Sequence, residues 1–455
     1  MLLLVCILFN IMILNGSKYA NMAANQRLGS SEHGRHIICD KNMIPFTSGT
    51  SSYENPHASH IIGYTDRDGR GMCGIEKAFN DELTLNTPVK ATLKDGSGKS
   101  IPIFKTNKEE SKKEQYVKLT LDYHIQKITE NVLDSHKITG AAVVLAVNSF
   151  DVLAMASRPQ FDRNNVEIYT EFGDTELINR ALSPYNAGSI FKIITTAAAL
   201  EEGVLSEGSP FFCGGAMVFD DILFPCHKTG GHGNLSLKDA FSLSCNCAFY
   251  NTGNILGSEK ICEYGEKFGI GKYVLSNIFE ENSGNIPKQL SHSKSEASNL
   301  AIGQGEIMIT PLQAAKIACI IASGGISKEV NIADSIVGED GNTIKHLRKE
   351  KTERIISAEN AGKIGEMMLS AVESGTGSNA KSQEISIAGK TGSAETGWQT
   401  DGGFMVQGWF IGFFPYENPK YAIAVMAEDG KQGNKSCAPI FKEIAEKISD
   451  IKKAR

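Results

Sequence analysis

The stretch YNAGSIFKIITTAAALEEG, residues 185–203, places a serine between a turn and a long apolar run. The Asn-Ala-Gly turn and the apolar residues of 190–200 predict a helix that ends at Gly203. Ser189 then lies in the first turn of this helix, where free backbone N–H groups and the positive end of the helix dipole favour negative charge. Lys192 shares a face with Ser189. Because burial lowers a lysine pKa, the pair can supply a serine nucleophile and a neutral amine base.

A Ser-x-x-Lys pair alone is weak evidence for catalysis. Further pairs of this kind begin at Ser291, Ser378 and Ser449, in polar loops or on the exposed face of the last predicted helix. None of the three stands before a long apolar helix. For Ser189 the competing interpretation is a helix-capping serine beside a lysine that extends to solvent.

A second candidate group is the triplet Ser-Cys-Asn at 244–246, which follows a helical pattern over 235–243. At a break between two helices both polar side chains can point into one cleft, where the serine can relay a proton and the asparagine can hold an amide. Helix capping is the alternative role, since Ser and Asn are preferred caps. A similar triplet, Ser-Gly-Asn at 283–285, has the composition of an ordinary turn.

The triplet Lys-Thr-Gly occurs twice, at 228–230 and at 390–392. The first copy lies in a glycine-dense loop without a strand pattern. The second copy follows the alternating apolar residues of EISIA, residues 384–388, which predict a strand. We therefore interpret the second copy as functional and the first as coincidental.

On a strand, Lys390 and Gly392 face one way and Thr391 faces the other. Gly392 is expected to leave room for the backbone of a ligand. The backbone N–H of Ser393, next along the strand, can contribute to an oxyanion hole.

The composition excludes two broad classes of protein. With a net charge of −6 and scattered lysines, the chain lacks the basic surface of a general nucleic-acid binder. Its 41% hydrophobic content is too low for a polytopic membrane protein. A length of 455 residues allows two or three domains around a large core.

The chain begins with MLLLVCILFNIMIL, an apolar run with no basic residue ahead of it. This run is shorter than the roughly 20 residues that cross a bilayer. We interpret residues 1–16 as a membrane anchor or signal-like segment whose beginning is missing or misassigned, which leaves the body of the chain outside the cytoplasm. A buried strand or helix is the alternative.

Cysteine usage leaves the redox compartment open. The chain has 10 cysteines, with no CxxC pair and no His/Cys spacing typical of a zinc site. Cys213 and Cys226 can form a disulfide in an oxidising compartment. Cys245 and Cys247 are interpreted as small buried side chains.

Apolar patterns predict one sheet assembled from distant parts of the chain. Residues 140–157 have the pattern of a β-hairpin, and strands return near the C-terminus before a final amphipathic helix. Between 188 and 376 helical patterns dominate. In the polar region 17–115, RHIICD and HIIGYT are interpreted as short strands.

Ser-x-x-Lys, Ser-x-Asn and Lys-Thr-Gly, in this order, resemble the signature of penicillin-binding proteins and serine β-lactamases. Other segments, among them RHIICDKN at 35–42 and AIGQGEIMITPLQAA at 301–315, resemble class B penicillin-binding proteins. The resemblance runs from about residue 33 to 430. Gly408 departs from it, because many relatives carry a histidine at this position.

The resemblance implies an α+β fold, in which an antiparallel sheet flanked by helices and a helical subdomain form the transpeptidase domain, residues 116–455. It implies a small N-terminal β-rich pedestal or linker domain at 17–115. It also implies a location on the cell membrane, with one N-terminal anchor and the catalytic domain outside.

The implied activity is that of a peptidoglycan D,D-transpeptidase, which cross-links stem peptides through an acyl-serine, releases D-Ala and is inhibited by β-lactams. Ser189 would be the nucleophile and Lys192 its base. Ser244 would relay a proton, Asn246 would hold the donor amide and Lys390 would supply positive charge.

Further roles follow from the same resemblance. Thr391, Gly392 and Ser393 would bind the substrate carboxylate, and the N–H groups of Ser189 and Ser393 would form the oxyanion hole. No metal or organic cofactor is expected. The implied partners are stem peptides ending in D-Ala-D-Ala, β-lactams and a membrane glycan polymerase.

Three other functions remain open at this point. A β-lactamase or a D-Ala-D-Ala carboxypeptidase would share the nucleophile and differ in the fate of the acyl group. A non-catalytic scaffold of the division or sporulation machinery would keep only the fold, and the presence of all three motifs argues against it.

Overall fold

The computed structural model describes residues 32–49, 53–94, 100–103, 114–171, 175–275, 278–400, 403–429 and 433–454. The segment interpreted as an anchor, residues 1–16, lies outside these ranges. Among the helices within them, none is both long enough and apolar enough for a membrane crossing.

The helices are α1 Ser59–Ile62, α2 Gly74–Ala78, α3 Asn80–Leu83, α4 Tyr123–His136, α5 Glu167–Glu171, α6 Lys192–Glu201, α7 Leu237–Ser242, α8 Asn246–Leu256, α9 Ser258–Lys267, α10 Lys294–Ala301, α11 Pro311–Ala322, α12 Ala358–Glu373 and α13 Gly433–Ala454. The strands are β1 Glu32–Arg35, β2 Ile37–Cys39, β3 Thr84–Lys94, β4 Ser100–Ile103, β5 Gln115–Leu119, β6 Gly140–Ala146, β7 Val152–Arg158, β8 Tyr185–Asn186, β9 Pro210–Cys213, β10 Ala216–Phe219, β11 Ile222–Pro225, β12 Gly233–Ser236, β13 Met308–Ile309, β14 Ile326–Lys328, β15 Ala333–Gly338, β16 Thr343–His346, β17 Thr352–Arg354, β18 Ala388–Thr400, β19 Gly403–Phe414 and β20 Tyr421–Ala427.

A five-stranded antiparallel sheet of order β18-β19-β20-β6-β7 forms the centre of the molecule. Strands β6 and β7 are the predicted hairpin, and β18 to β20 come from the C-terminal part, which confirms the sheet built from distant segments. The predicted start of the Lys-Thr-Gly strand was wrong, because β18 begins at Ala388 and the residues of 384–387 precede it.

The sheet is buried on both faces because side chains alternate along its strands. On one face the apolar residues of α4 and α13 pack against alternate residues of the strands, such as Val144, Phe410 and Val425. On the other face the intervening residues, such as Val143 and Ile411, join a larger core with α6, α11 and α12. The predicted α+β architecture of a sheet between helices is confirmed.

Helices α6 to α12 lie in the predicted helical region, and short strands lie between them. Strands β9 to β12 form two hairpin pairs within 210–236, where β9 pairs with β12 and β10 pairs with β11. The pair β14 and β17 and the strands β15 and β16 lie further along the chain. This part of the chain therefore contains helices and a set of short strands, and we call strands β9 to β12, residues 210–236, the β-ribbon.

The N-terminal part shares a sheet with the main body. Strand β2 runs parallel to β5, and β5 in turn pairs with β15. The interpretation of HIIGYT as a strand was wrong, because Ser59–Ile62 is a helical turn that Gly63 ends with φ +79°. A short apolar run carries too little periodicity to separate a strand from a buried helical turn. The division at residues 115 and 116 stays a prediction.

Candidate active site

Ser189 lies in a 3₁₀ turn, Gly188–Phe191, directly before α6. Gly188 has φ +54°, and a Cβ at this position would stand 2.9 Å from the carbonyl oxygen of Ser393. The N–H of Gly188 donates to the carbonyl oxygen of Gly303 over 2.9 Å. A glycine is therefore required where the serine-bearing turn fits between β18 and the segment after α10.

Lys192, the first residue of α6, is fully buried. Its ammonium group donates to the Ser244 carbonyl oxygen at 2.8 Å, to Ser244 Oγ at 3.2 Å and to Asn246 Oδ1 at 2.7 Å. Burial lowers its pKa to about 7. The alternative of a lysine that extends to solvent is excluded.

Ser244 stands at the break between α7 and α8, with φ +54°, an uncommon conformation for a residue other than glycine. Cys245 occupies the N-cap position of α8 and makes no side-chain cap bond. The Ser244 hydroxyl instead receives hydrogen bonds from two lysines, at 3.2 Å from Lys192 and at 2.9 Å from Lys390. Its side chain is therefore oriented into the site and does not cap a helix.

Lys390 reaches the same hydroxyl from β18, on the opposite side of the site. Its side chain is fully buried, and its ammonium group also donates to the carbonyl oxygen of Thr391 at 3.1 Å. Burial, and next the nearby charge of Lys192, lower the pKa of Lys390 well below its ordinary value. The acceptors that these bonds reach are neutral oxygens, which offset little of the cost of burying the two ammonium groups.

Thr391 contacts the loop at residues 375–377, which lies outside the three motifs. Its Oγ1 lies 2.8 Å from Oγ1 of Thr376. The N–H of Thr376 donates to the carbonyl oxygen of Ser242 at 3.1 Å, which ties the loop to the end of α7. The sequence signal for this loop is the pair of glycines in GTG at 375–377, while the contact itself depends on the fold.

Gly392 allows close packing inside the protein, and its expected role as an opening for a ligand stays a prediction. A Cβ on Gly392 would stand 2.9 Å from Cγ2 of Ile190 and 3.0 Å from Cβ of Trp409. Glycine at this position lets β18 pack against the serine-bearing turn. The neighbouring Ser393 accepts a hydrogen bond on Oγ from the N–H of Gly433 at 3.2 Å.

The other copy of Lys-Thr-Gly has none of these features. Residues 228–230 are exposed in a loop between β11 and β12 and are not part of a strand. Of the two copies, only the copy on β18 contacts Ser244, and its functional role stays a prediction.

Residues 140–446 match the family model described as the penicillin binding protein transpeptidase domain. The chain belongs to the penicillin-binding protein transpeptidase family. The match confirms the family inferred from the three motifs. The matched residues include the whole five-stranded sheet and the candidate site.

The transpeptidase-family relatives include Stage V sporulation protein D of Bacillus subtilis (strain 168), 30% identical over 85% of this chain and 61% of that protein. Peptidoglycan D,D-transpeptidase PbpA of Mycolicibacterium smegmatis is 28% identical over 89% of this chain and 86% of that protein. The crystal structure of the D,D-transpeptidase domain of a peptidoglycan glycosyltransferase from Eggerthella lenta has a TM-score of 0.78 at 26% identity, covering 93% of this chain and 99% of that one. The chain thus spans about three fifths of the length of the sporulation protein.

In this transpeptidase-family chain Cys245 and Cys247 are buried, as interpreted from the sequence, and the possible disulfide is absent. Cys213 and Cys226 are free thiols and do not form a disulfide. Together with His232 and Cys245 they form a compact cluster beside the Ser244–Asn246 turn. The pattern C-x12-C-x5-H-x12-C was the available signal, and its wide spacing is unlike the usual short zinc-binding motifs.

Proposed function

We propose that the chain is a serine-type peptidoglycan D,D-transpeptidase that forms an acyl-serine intermediate and is inhibited by β-lactams. The observation that carries this proposal is the convergence of Lys192 and Lys390 on the hydroxyl of Ser244, beside the turn that presents Ser189. The similarity to a protein named peptidoglycan D,D-transpeptidase PbpA supports the same activity.

In the first step Ser189 Oγ attacks the carbonyl of the penultimate D-Ala in a donor stem peptide. The hydroxyl proton passes to the neutral amine of Lys192, which the lowered pKa makes available near pH 7. The tetrahedral oxyanion is held by the backbone N–H groups of Ser189 and Ser393. Those residues lie on adjacent segments, since the Gly188 turn packs directly against the Ser393 carbonyl.

In the second step the tetrahedral intermediate collapses and the bond to the terminal D-Ala breaks. Ser244 gives its proton to the leaving amine and regains one from a lysine, because both ammonium groups lie within hydrogen-bond distance of its oxygen. Asn246 holds the donor amide once the substrate displaces part of the Lys192 contact. Free D-Ala leaves, and the acyl group stays on Ser189.

Thr391 and Ser393 bind the terminal carboxylate of the donor, or the carboxylate of a β-lactam, with Lys390 close by. Gly392, between these two residues, brings β18 close to the serine-bearing turn and so places its own backbone beside the substrate. An amine of a second stem peptide then attacks the acyl-serine, which forms the cross-link and frees Ser189. These steps require no metal or organic cofactor.

By family resemblance the protein acts at the cell membrane, with a single N-terminal anchor and the catalytic domain outside the cytoplasm. A membrane glycan polymerase is the expected partner, because cross-linking needs newly made glycan strands as its substrate. The names of the relatives place them in cell-wall synthesis and sporulation and support the extracytoplasmic part of this proposal.

The acylation rate is expected to rise with pH across neutrality. Since burial lowers the pKa of Lys192 to about 7, the inactive ammonium form gains population below that pH, and the rate should fall about tenfold per pH unit there. Stopped-flow measurement of benzylpenicillin acylation between about pH 5.5 and 8.5 checks this. A rate that is flat over the whole range would rule out Lys192 as the titrating base.

Intact-mass spectrometry after mixing with benzylpenicillin tests the proposed activity. We expect an adduct that lasts for hours and maps to the peptide that contains Ser189. An adduct that disappears within seconds would instead support a β-lactamase or a carboxypeptidase, which release the acyl group to water. If the protein stays unmodified, the scaffold interpretation replaces the enzymatic one.

A further inference from the structure

Four possible metal ligands lie together between the β-ribbon and the start of α8. Cys213 ends β9, Cys226 follows β11, His232 precedes β12, and Cys245 is the N-cap of α8. One donor atom from each residue lies within 4.8 Å of all the others. The three cysteines are buried and the histidine is half-buried.

The distances inside the cluster match a metal site. Nδ1 of His232 lies 3.5 Å from Sγ of Cys213 and 3.6 Å from Sγ of Cys226. A tetrahedral Zn²⁺ with Zn–S of about 2.3 Å and Zn–N of about 2.05 Å separates a sulfur from a nitrogen by about 3.6 Å. The ligand set of three thiolates and one imidazole is also a common structural zinc set.

Backbone contacts hold two of the four ligands in place and fix the residue before a third, His232. Cys213 pairs with Gly233 across β9 and β12, and the N–H of Cys226 donates to the carbonyl oxygen of Gly215 at 2.8 Å. A Cβ on Gly231 would stand 2.2 Å from the carbonyl oxygen of Cys213. This tight, glycine-dependent approach brings the ligands from the two hairpins together before any ion binds.

The β-ribbon buries Phe211 and Phe224 in the main core but leaves much of its other apolar surface exposed. Its large apolar side chains Phe212, Val218, Ile222 and Leu223 are each more than half exposed. A small β unit with so few buried apolar side chains commonly depends on a metal or on disulfides for its order. The described cysteines of the ribbon are free thiols, which leaves metal binding as the cross-link.

We propose that Cys213, Cys226, His232 and Cys245 form a structural site for a soft divalent cation of the Zn²⁺ class. On binding, each of the three thiols releases its proton to solvent and the neutral imidazole contributes a lone pair. The ion joins the β-ribbon to Cys245, the N-cap residue of α8. Because Cys245 stands between Ser244 and Asn246, the site acts as a positioning device for both side chains.

Metal analysis of the full chain, purified under reducing conditions, tests the proposal without any substrate. We expect about one equivalent of zinc per chain, and exchange for Co²⁺ should give the visible spectrum of a tetrahedral thiolate site. His232→Ala and Cys213→Ser should each bind the ion at least about 100-fold more weakly, since even second-shell changes cost about 10- to 100-fold. Cys262→Ser, which removes a buried thiol of α9 outside the cluster, should retain the ion.

His232→Ala keeps all three thiols and removes only a half-buried ring, so it tests the site if Cys213→Ser does not fold. A reduced chain that takes up neither zinc nor Co²⁺ would overturn the proposal. So would full metal retention in both ligand variants, or a disulfide that forms among the three cysteines while added zinc is left unbound.

Removal of the ion by a chelator should slow acylation by benzylpenicillin, and added Zn²⁺ should restore the rate. An unchanged rate in the metal-free chain would overturn the positioning role. The metal content is measured independently of acylation, so failure of this inference and failure of the proposed transpeptidase activity are distinguishable.

Discussion

Ser189→Ala is expected to abolish the covalent benzylpenicillin adduct completely. The turn that carries Ser189 packs against β18 and leads into Lys192, which contacts Ser244. The variant removes the attacking oxygen and leaves these contacts intact. The melting temperature should change little, because the substitution removes one half-buried hydroxyl. Intact mass and differential scanning calorimetry on the same preparation measure both quantities.

The matched control is Ser449→Ala, which alters another Ser-x-x-Lys pair, on α13. This variant should be acylated at the wild-type rate. If Ser189→Ala still forms a stable adduct, the nucleophile has been assigned wrongly, and peptide mapping would then show whether Ser244 takes that role.

Gly303→Ala is expected to reduce the acylation rate by about 100-fold or more, although residue 303 lies outside all three motifs. A Cβ there would stand 2.3 Å from the carbonyl oxygen of Gly188 and 2.6 Å from Cβ of Phe191. Neither atom can move by a change of side-chain rotamer, because one belongs to the backbone and the other is a Cβ. The 3₁₀ turn itself must therefore shift to accommodate the new methyl group. A displacement of about 1 Å at a nucleophile can cost about 100-fold in rate. Rapid-mixing measurement of acylation, with a thermal melt, checks the result.

Gly305→Ala is the control for backbone strain. Both glycines have a positive φ, +72° at Gly303 and +77° at Gly305, but the position of a Cβ on Gly305 has no atom within 4 Å. Gly305→Ala should therefore cost about 1 kcal/mol of stability and leave the acylation rate near that of wild type. Equal losses of rate in the two variants would contradict the argument from collision.

The three motifs could be found from the sequence because each depends on local pattern. The apolar helix after Ser189 and the strand around Lys390 set those side chains apart from the other copies of the same motifs. Apolar periodicity predicted the sheet built from distant segments, since the hairpin at 140–157 and the final amphipathic helix have clear repeats. The family resemblance supplied the α+β fold class.

Other features depend on contacts between distant segments, which local pattern does not encode. The close packing of Gly392 against Ile190 is visible only in the structure. The contact between Thr376 and Thr391 likewise joins segments that no local pattern relates. The cysteine cluster combines residues of the β-ribbon with the N-cap of α8, and their spacing in the sequence is too wide for the usual metal-binding motifs. In the polar N-terminal region the run HII at residues 60–62 was too short to distinguish a helix from a strand.

The order of the central sheet has a consequence for how the protein is made. The pairing of Ala146 with Tyr421 in β6 and β20 joins residues more than half the chain length apart. Contacts of such long range form late, because a large loop must close before they contribute. During synthesis the helix behind Ser189 emerges long before Lys390 and the strands that support it. The ribosome must therefore synthesise most of the chain before the proposed acylation site around Ser189 can form.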